Sequence, residues 1–338
     1  MVNHAFRLAS RPVGLPTRSN WDYVEEEVRD PGDGEVVVRV QYISLDPAMR
    51  GWVSDRPSYI PPVGIGDVMR AIAVGEVLES RDPKLSAGDH VNGILGMQEI
   101  AVVPGGGLTK IDPRVAPLPT WLGALGMTGM TAYFGLLDIG RPEPGQTVVV
   151  SGAAGAVGHL VGQIARIKGA RSVGIAGGPD KCGVLLEQYS FDATIDYKAE
   201  KIDQALRREC PDGIDVYFDN VGGAILDSAL ARLARHARVV ICGAISQYNE
   251  TGQLAGPANY LSLLVNHASM TGFVVSDYIS QWPSAGADMA QWLAEGKLVT
   301  AEHVVDGLET FPDTLLMLFS GENTGKLVLA VNGGADAA

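Results

Sequence analysis

The spacing of apolar and polar residues changes once along the chain, near residue 121. Before that point, short runs of β-branched and aromatic residues are punctuated by Gly, Pro and Asp. "GEVVVRVQYISL" (34–45), "AIAVGEVLES" (71–80) and "GDHVNGILG" (88–96) read as strands of this kind. Their spacing predicts a compact, antiparallel, barrel-like fold. After residue 121, β-rich runs alternate with helical patterns: "QTVVVSG", "SVGIAGG", "DATIDY", "GIDVYFDNVGG", "ARVVICGAISQY" and "MTGFVV". Strand–helix alternation predicts a parallel, doubly wound sheet. The closing stretch "KLVTAEHVVDGLETFPDTLLMLFSGENTGKLVLAV" carries a helix and a last strand, which are expected to return to the first domain. The reading is a two-domain α/β protein divided into 1–120 with 300–338, and 121–299. No internal repeat or low-complexity segment stands out.

The stretch "VVVSGAAGAVGHLVGQIARIKG" (148–169) is where this pattern first touches chemistry. An all-apolar strand runs into a turn of tiny residues. Val157, Leu160, Val161, Ile164 and Ile167 then recur at helical spacing. Gly155 and Gly158 stand in an x-x-G-x-x-G frame, with Ala153 where the first fingerprint glycine usually sits. Tiny residues let backbone approach a pyrophosphate, and a helix start offers N–H groups and the positive end of its dipole. A purely structural strand–turn–helix has the same outline, but strand, turn and helix are all in place, so the dinucleotide loop is preferred. The second strand ends in Ala176, Gly177 and Gly178, then Pro179, Asp180 and Lys181. An NAD site places an acid at that strand end for the ribose 2′-hydroxyl. Small residues there leave room for a 2′-phosphate, with Lys181 near enough to pair with it. Asp180 is the competing NAD-type acid, at about the expected distance past the turn, but it is read as the cap of the next helix. NADP(H) is therefore favoured.

Composition narrows the partners. With 338 residues, 46% hydrophobic and 19% charged, the chain buries a real core. Its 26 basic against 39 acidic residues give a net charge of −13, which argues against nucleic acid or an anionic membrane as main partner. A local basic pocket for one phosphorylated cofactor remains compatible with that charge. Cys182, Cys210 and Cys242 are widely spaced and lack CxxC spacing, so neither a disulfide framework nor a four-cysteine zinc site can be built. A reducing, cytoplasmic location is expected. No apolar run reaches the roughly 18–20 residues of a membrane span. Arg7, Arg11 and Arg18 precede the first acid, Asp22, in the manner of a transit peptide, but a first strand and loop leading into "WDYVEEEV" is the preferred reading. The histidines (His4, His90, His159, His236, His267 and His303) are scattered and read as surface or core residues. Ser151 precedes the turn outside any G-x-S-x-G frame, so no serine nucleophile is expected.

Taken together, "SLDPAMRG" (44–51), "GMTGMTAYFGLLDIG" (126–140), the glycine turn, "YFDNVGG" (217–223), "ICGAISQYN" (241–249), "GFVV" (272–275) and "GENTGKLV" (321–328) carry a resemblance. In order and over nearly the whole chain, they resemble the medium-chain dehydrogenase/reductase superfamily. Within it they are similar to the zinc-independent, NADP-dependent alkenal and enone reductases: prostaglandin, curcumin and plant double-bond reductases. The resemblance implies a GroES-like, β-barrel-type catalytic domain beside a Rossmann domain, with NADP(H) in the cleft between them. It implies that Gly155, Ala156, Val157 and Gly158 wrap the pyrophosphate, and that Lys181 holds the 2′-phosphate with help from Tyr197. Asn220 would lie along the cofactor. Cys242, Gly243, Ala244, Ile245, Ser246 and Tyr248, with Phe273, Val274 and Val275, would flank its nicotinamide half. Pro47, Met127 and Thr131 match positions beside the cofactor, and Asn323 matches one returning from the C-terminal strand. Tyr248 matches the tyrosine beside the nicotinamide ribose and the substrate carbonyl, and is the catalytic candidate.

The implied activity is NADPH-dependent reduction of the C=C bond of an α,β-unsaturated ketone or aldehyde, a small-molecule substrate. Hydride passes to the β-carbon and Tyr248 stabilises the enolate. That chemistry needs a hydride donor and hydrogen-bond donors aimed at the developing oxyanion, and no metal. No cysteine precedes Cys182, and "PVGIGDVMR" stands where a His-Glu pair would follow the long strand, so no zinc site is expected. Two departures bear on substrate choice. Ala48 replaces the usual tyrosine in Asp46-Pro47-Ala48-Met49-Arg50, implying a wider or differently polar pocket, with Tyr59 as a replacement wall; Thr128 replaces a common proline. A quinone reductase of the same superfamily and a non-catalytic NADP(H)-binding protein remain as alternatives. A homodimer is expected, for which "NYLSLLV" and "SMTGFVV" offer apolar segments.

Overall fold

A computed structural model of the chain describes residues 1–331. Strands β1 (Val2–Leu8), β2 (Trp21–Glu27), β3 (Glu35–Ser44), β4 (Ile72–Ser80), β5 (His90–Ile94), β6 (Ile100–Pro104) and β7 (Thr109–Ile111) open it. Strands β8 (Thr147–Ser151), β9 (Arg171–Ala176), β10 (Ala193–Asp196), β11 (Ile214–Asp219), β12 (Leu233–Ile241) and β13 (Ser269–Gly272) follow. The last two are β14 (Glu302–Asp306) and β15 (Lys326–Ala330). The helices are α1 (Met49–Trp52), α2 (Met127–Phe134), α3 (Gly158–Ile167), α4 (Pro179–Glu187), α5 (Ile202–Glu209), α6 (Gly223–Leu230), α7 (Ser262–Val265), α8 (Trp282–Ala294) and α9 (Phe311–Ser320). The chain forms two compact units, Met1–Gly123 with the segment from Glu302 onward, and Ala124–Ala301.

In the first unit, β3 is the hub of a seven-stranded sheet ordered β14-β15-β3-β4-β5-β7, with β6 also paired to β3. The pairings are antiparallel except that of β14 with β15. Val36, Val38 and Val40 of β3 face the core and Arg39 stays exposed, in the alternation of a strand, while Val37 is buried as well. Strand β1 pairs with β2, and their aromatic side chains meet the tail: the Phe6 and Trp21 rings lie 5.2 and 5.0 Å from Phe311 of α9. The tail also contributes a strand beyond the expected helix and last strand. "EHVVD" forms β14 at the sheet edge, where its alternating half-buried pattern is too short to stand out in sequence.

A deeply buried polar contact of this unit joins β15 to the turn after β3. Lys326 is 1% exposed and Asp46 4%. Lys326 Nζ donates to Asp46 Oδ1 at 2.7 Å and to the Leu45 carbonyl at 2.8 Å, and Ser44 Oγ donates to Asp46 Oδ2. The turn carrying Pro47 and Ala48 is thereby fastened to the strand that follows Asn323.

The second unit is a six-stranded, wholly parallel sheet ordered β10-β9-β8-β11-β12-β13. Strand β8 is buried on both faces. Val148 and Val150 pack into the cluster built with α2, α3 and α8, and Val149 packs into the opposite cluster with α5 and α6. A continuous apolar run suits such a strand. Helix α3 lies close over the sheet because Gly158 and Gly162 lack side chains; a Cβ on the first would collide with the Gly152 carbonyl, and on the second with the Phe191 ring.

Lys326→Met removes one partner of a buried pair and leaves the Asp46 carboxylate uncompensated. Equilibrium denaturation of this variant is expected to show a loss of about 3–5 kcal/mol, whereas loss of an exposed pair such as Lys297–Glu295 is expected to leave the transition nearly unmoved.

Candidate cofactor and active site

Strand order reverses between β8 and β11, and in open α/β sheets that switch point, at the carboxyl ends of the strands, is where ligands bind. The residues ending these two strands form one network. Ser151 Oγ donates to Asp219 Oδ1 at 2.8 Å and accepts from the Asn220 amide at 2.9 Å; Asn220 Nδ2 donates to the Ser151 carbonyl at 2.8 Å. Asp219 Oδ1 also accepts from Tyr217 Oη and from the Val221 and Gly222 amides. Burial pushes the Asp219 carboxyl upward, and these donors oppose the shift. The Asp219 carbonyl takes the Cys242 and Gly243 amides, the Asn220 carbonyl the Ile245 amide, and the Val221 carbonyl both the amide and the hydroxyl of Ser246. Asn220 and the 242–248 segment are thus one hydrogen-bonded body. Sequence reasoning weighed Ser151 only as a nucleophile. Its bridging role had a faint signal, a serine and an aspartate ending two strands, whose pairing is decided by the fold.

The glycine turn closes through Gly152, at φ 58°, whose carbonyl accepts the Gly155 amide at 3.0 Å. Ala156 and Val157 lead into α3, whose first N–H groups have no intrahelical acceptor. His159, in the first turn, is buried, and burial pushes its pKa down to about 4. It is therefore neutral at physiological pH, and with a carbonyl as its acceptor Nδ1 carries the proton.

At the end of β9 stands Gly177, where any side chain would have to displace a tyrosine. A Cβ there would lie 2.7 Å from Tyr197 Oη, so the tyrosine ring occupies the space a side chain would need. Asp196 Oδ1 accepts the Gly178 and Lys198 amides, both at 2.9 Å, and so shapes this corner. Lys181 is half-buried, and burial together with the nearby Lys198 charge lowers its pKa. Two like cations gathered at a glycine corner fit a dianionic phosphate. Lys198 was missed in the sequence; it follows Tyr197 directly, but only pairing of β10 with β9 brings it to Lys181. The capping role expected of Asp180 does not hold. Gly178 is the cap of α4, Pro179 takes the first helical position, and Asp180 falls inside the first turn, where its charge suits the helix dipole.

The 242–248 loop folds onto itself. Tyr248 Oη accepts the Ala244 amide at 3.1 Å, and a Cβ on Gly243 would lie 2.9 Å from that oxygen. Burial pushes the Cys242 thiol up to about 12, so it stays protonated. Thr131 Oγ1 donates to the Met127 carbonyl one turn back in α2. Phe273 packs where Gly135 has no side chain, and Val274 and Val275 continue from it. The remaining candidates belong to the first unit. Pro47, Ala48 and buried Asn323, whose Nδ2 donates to the Gly325 carbonyl, flank the Lys326–Asp46 pair; Tyr59 is 66% exposed in a separate loop. Among the described residues, no three His, Cys, Asp or Glu side chains are grouped so as to hold a metal ion.

Comparison with known proteins places both units. A family profile described as the N-terminal domain of oxidoreductase matches residues 4–111, and one described as zinc-binding dehydrogenase matches residues 156–294. The chain is 43% identical to the NADPH-dependent curcumin reductase of Escherichia coli, covering 98% of this chain and 97% of that one. It is 41% identical to the NADP(+)-dependent 2-alkenal reductase of Nicotiana tabacum, covering 95% of each. The crystal structure of CurA from Vibrio vulnificus in complex with NADPH superposes with a TM-score of 0.93 at 42% identity, over 97% of this chain and 99% of that one.

The paired lysines generate a test by calorimetric titration. Lys181→Ala is expected to weaken NADPH binding about 10- to 100-fold, the range for a charge-assisted contact, and to leave NADH unchanged. Because the Lys181 pKa is lowered, its charge, and with it the preference for NADPH over NADH, is expected to fade at a lower pH than an ordinary lysine would set.

Proposed function

The chain belongs to the medium-chain dehydrogenase/reductase superfamily, in its NADP-dependent, zinc-independent group, and from that premise we propose that it reduces the C=C bond of an α,β-unsaturated ketone or aldehyde. The observation that carries this reading is the Tyr248 hydroxyl, held by the Ala244 amide at 3.1 Å within a loop tied to the switch point of the sheet. An N–H donated to the phenolic oxygen polarises its own O–H and makes it a stronger donor. The relatives named curcumin reductase and 2-alkenal reductase support the substrate class.

NADPH supplies the hydride for the β-carbon when bound. The residues assigned to its pyrophosphate are Gly155, Ala156, Val157 and Gly158, and Lys181, Tyr197 and Lys198 are assigned to its 2′-phosphate. Asn220, the 242–248 loop, Met127, Thr131, Phe273, Val274 and Val275 would surround its nicotinamide half. As negative charge develops on the substrate carbonyl oxygen, Tyr248 donates its O–H to that oxygen, the kind of stabilisation that carries most of the barrier lowering in such reactions. The α-carbon then takes a proton from solvent or a hydroxyl. Cys242 in the same loop is a neutral thiol, which keeps it from adding to an electrophilic alkene. Ala48 and Tyr59 are assigned to the substrate side, and the small Ala48 favours bulky acceptors. Three free thiols accord with a reducing, cytoplasmic setting.

We infer further that two copies associate through the β13 edge. All four residues of β13 are exposed at the end of the sheet, beside exposed Tyr260, Leu261, Leu264 and Val265. From Thr251 to Ser276 the chain has no Asp, Glu, Lys or Arg, so copies of net charge −13 can approach there without repulsion. An unpaired edge strand meeting its own copy across a two-fold axis satisfies its backbone groups.

The activity test is NADPH oxidation against a long-chain 2-alkenal, an aryl enone, a bulky cyclic enone and a quinone, with product analysis. Saturated ketone or aldehyde is the expected product, and Tyr248→Phe should lower kcat about 100-fold with little change in NADPH affinity. Turnover of the quinone alone would replace this reading with a quinone reductase, and binding without turnover of any acceptor would end it. In sedimentation velocity the wild type is expected as a dimer and Leu264→Asp as a monomer; a monomeric wild type sinks the interface.

A further inference from the structure

One buried titratable group is unused by the proposed chemistry. His159, 2% exposed, lies in the first turn of α3 with its ring 4.8 Å from that of Tyr189. Its Nδ1–H donates to the Gly155 carbonyl at 2.8 Å, and its backbone amide donates to the same oxygen at 3.2 Å. Its Nε2 is buried and has no hydrogen-bond partner among the described residues. A core site that needed only volume would be served better by Leu or Met, since an unsatisfied buried nitrogen costs stability. What the histidine gains in this position is the second hold on one carbonyl of the glycine turn.

We propose that His159 is a positioning residue for cofactor binding, fixing the Gly155–Ala156 peptide so that the Ala156 N–H points at the cofactor's pyrophosphate. In a trans peptide the N–H points opposite to the carbonyl, so holding the Gly155 oxygen toward the helix turns the Ala156 N–H outward. Two donors on that oxygen also polarise the peptide and strengthen its N–H as a donor. An anion at a helix start is bound by such N–H groups, and a peptide held in advance loses less entropy when the anion arrives. The inference rests on the reading that the 155–158 turn binds the pyrophosphate of NADP(H).

Calorimetric titration of the full-length protein tests it with two ligands, NADPH and adenosine 2′-monophosphate, which lacks the pyrophosphate. His159→Leu is expected to raise the Kd for NADPH about three- to tenfold, the value of one hydrogen bond, with the Kd for adenosine 2′-monophosphate unchanged. His159→Asn keeps a donor that reaches the carbonyl four residues back, as Asn266 Nδ2 reaches the Ser262 carbonyl at 3.1 Å, and should bind NADPH within about twofold of wild type. A merely structural histidine would move the melting temperature of the ligand-free protein and leave these affinities alone. An unchanged NADPH Kd in His159→Leu, or equal weakening of both ligands, overturns the proposal while the cofactor site stands. Failure of the wild type to bind NADPH overturns the site reading and the proposal together. If His159→Leu does not fold, the Ala156 amide resonance of the wild type decides: a shift on NADPH addition is expected, and its absence overturns the proposal.

Discussion

A single buried carboxylate, Asp219, holds together what the second unit presents at the switch point. One of its oxygens gathers the Ser151 and Tyr217 hydroxyls and two backbone amides, while its backbone carbonyl takes the start of the 242–248 loop. Through Ser151 it fixes the end of β8, and through Ser151 again the amide of Asn220. A carboxylate this deep is costly unless its acceptor sites are filled, and one of its oxygens accepts from four donors. The end of β8, Asn220 and the start of the Tyr248 loop are therefore tied into one hydrogen-bonded body.

The corner at the end of β9 is decided by what is missing. Gly177 has no side chain because Tyr197 stands in its place, so the acid of an NAD-type site cannot be accommodated without displacing that ring. Lys181 and Lys198 gather there beside the Asp196 carboxylate, which accepts the Gly178 and Lys198 amides, and a chain of net charge −13 still offers a local cationic spot. Local placement of charge overrides the global sign because screening confines the long-range field to about 10 Å.

The first unit solves a different problem, that of holding a short turn still. Asp46 and Lys326 lie far apart in sequence and meet in the core, where a charged pair with added hydrogen bonds has one geometry and few alternatives. An all-apolar contact of the same size would serve stability equally; the ion pair adds direction, setting the turn of Pro47 and Ala48 against β15.

Much of this molecule was legible in its residue pattern because the signals were local. The apolar run of β8, the glycine turn and the helical spacing after it fixed a Rossmann unit, since each reports the period and backbone freedom of its own segment. The small residues ending β9 and the lysine after them pointed to NADP(H) for the same reason. Signals of lower contrast misled or vanished: Asp180 looked like a cap because acids favour both the cap and the first turn, and β14 was too short to register. Lys198 and the Asp46–Lys326 pair carry no mark in sequence, and Ser151 only a faint one, because their roles exist only where strands distant in the chain are laid side by side. The sequence by itself determined which segments are strands, turns and helices and what kind of ligand their ends can meet. The tertiary structure alone decided which polar side chains satisfy one another in the interior, since hydrogen bonds between remote residues depend on register and burial that no local pattern encodes.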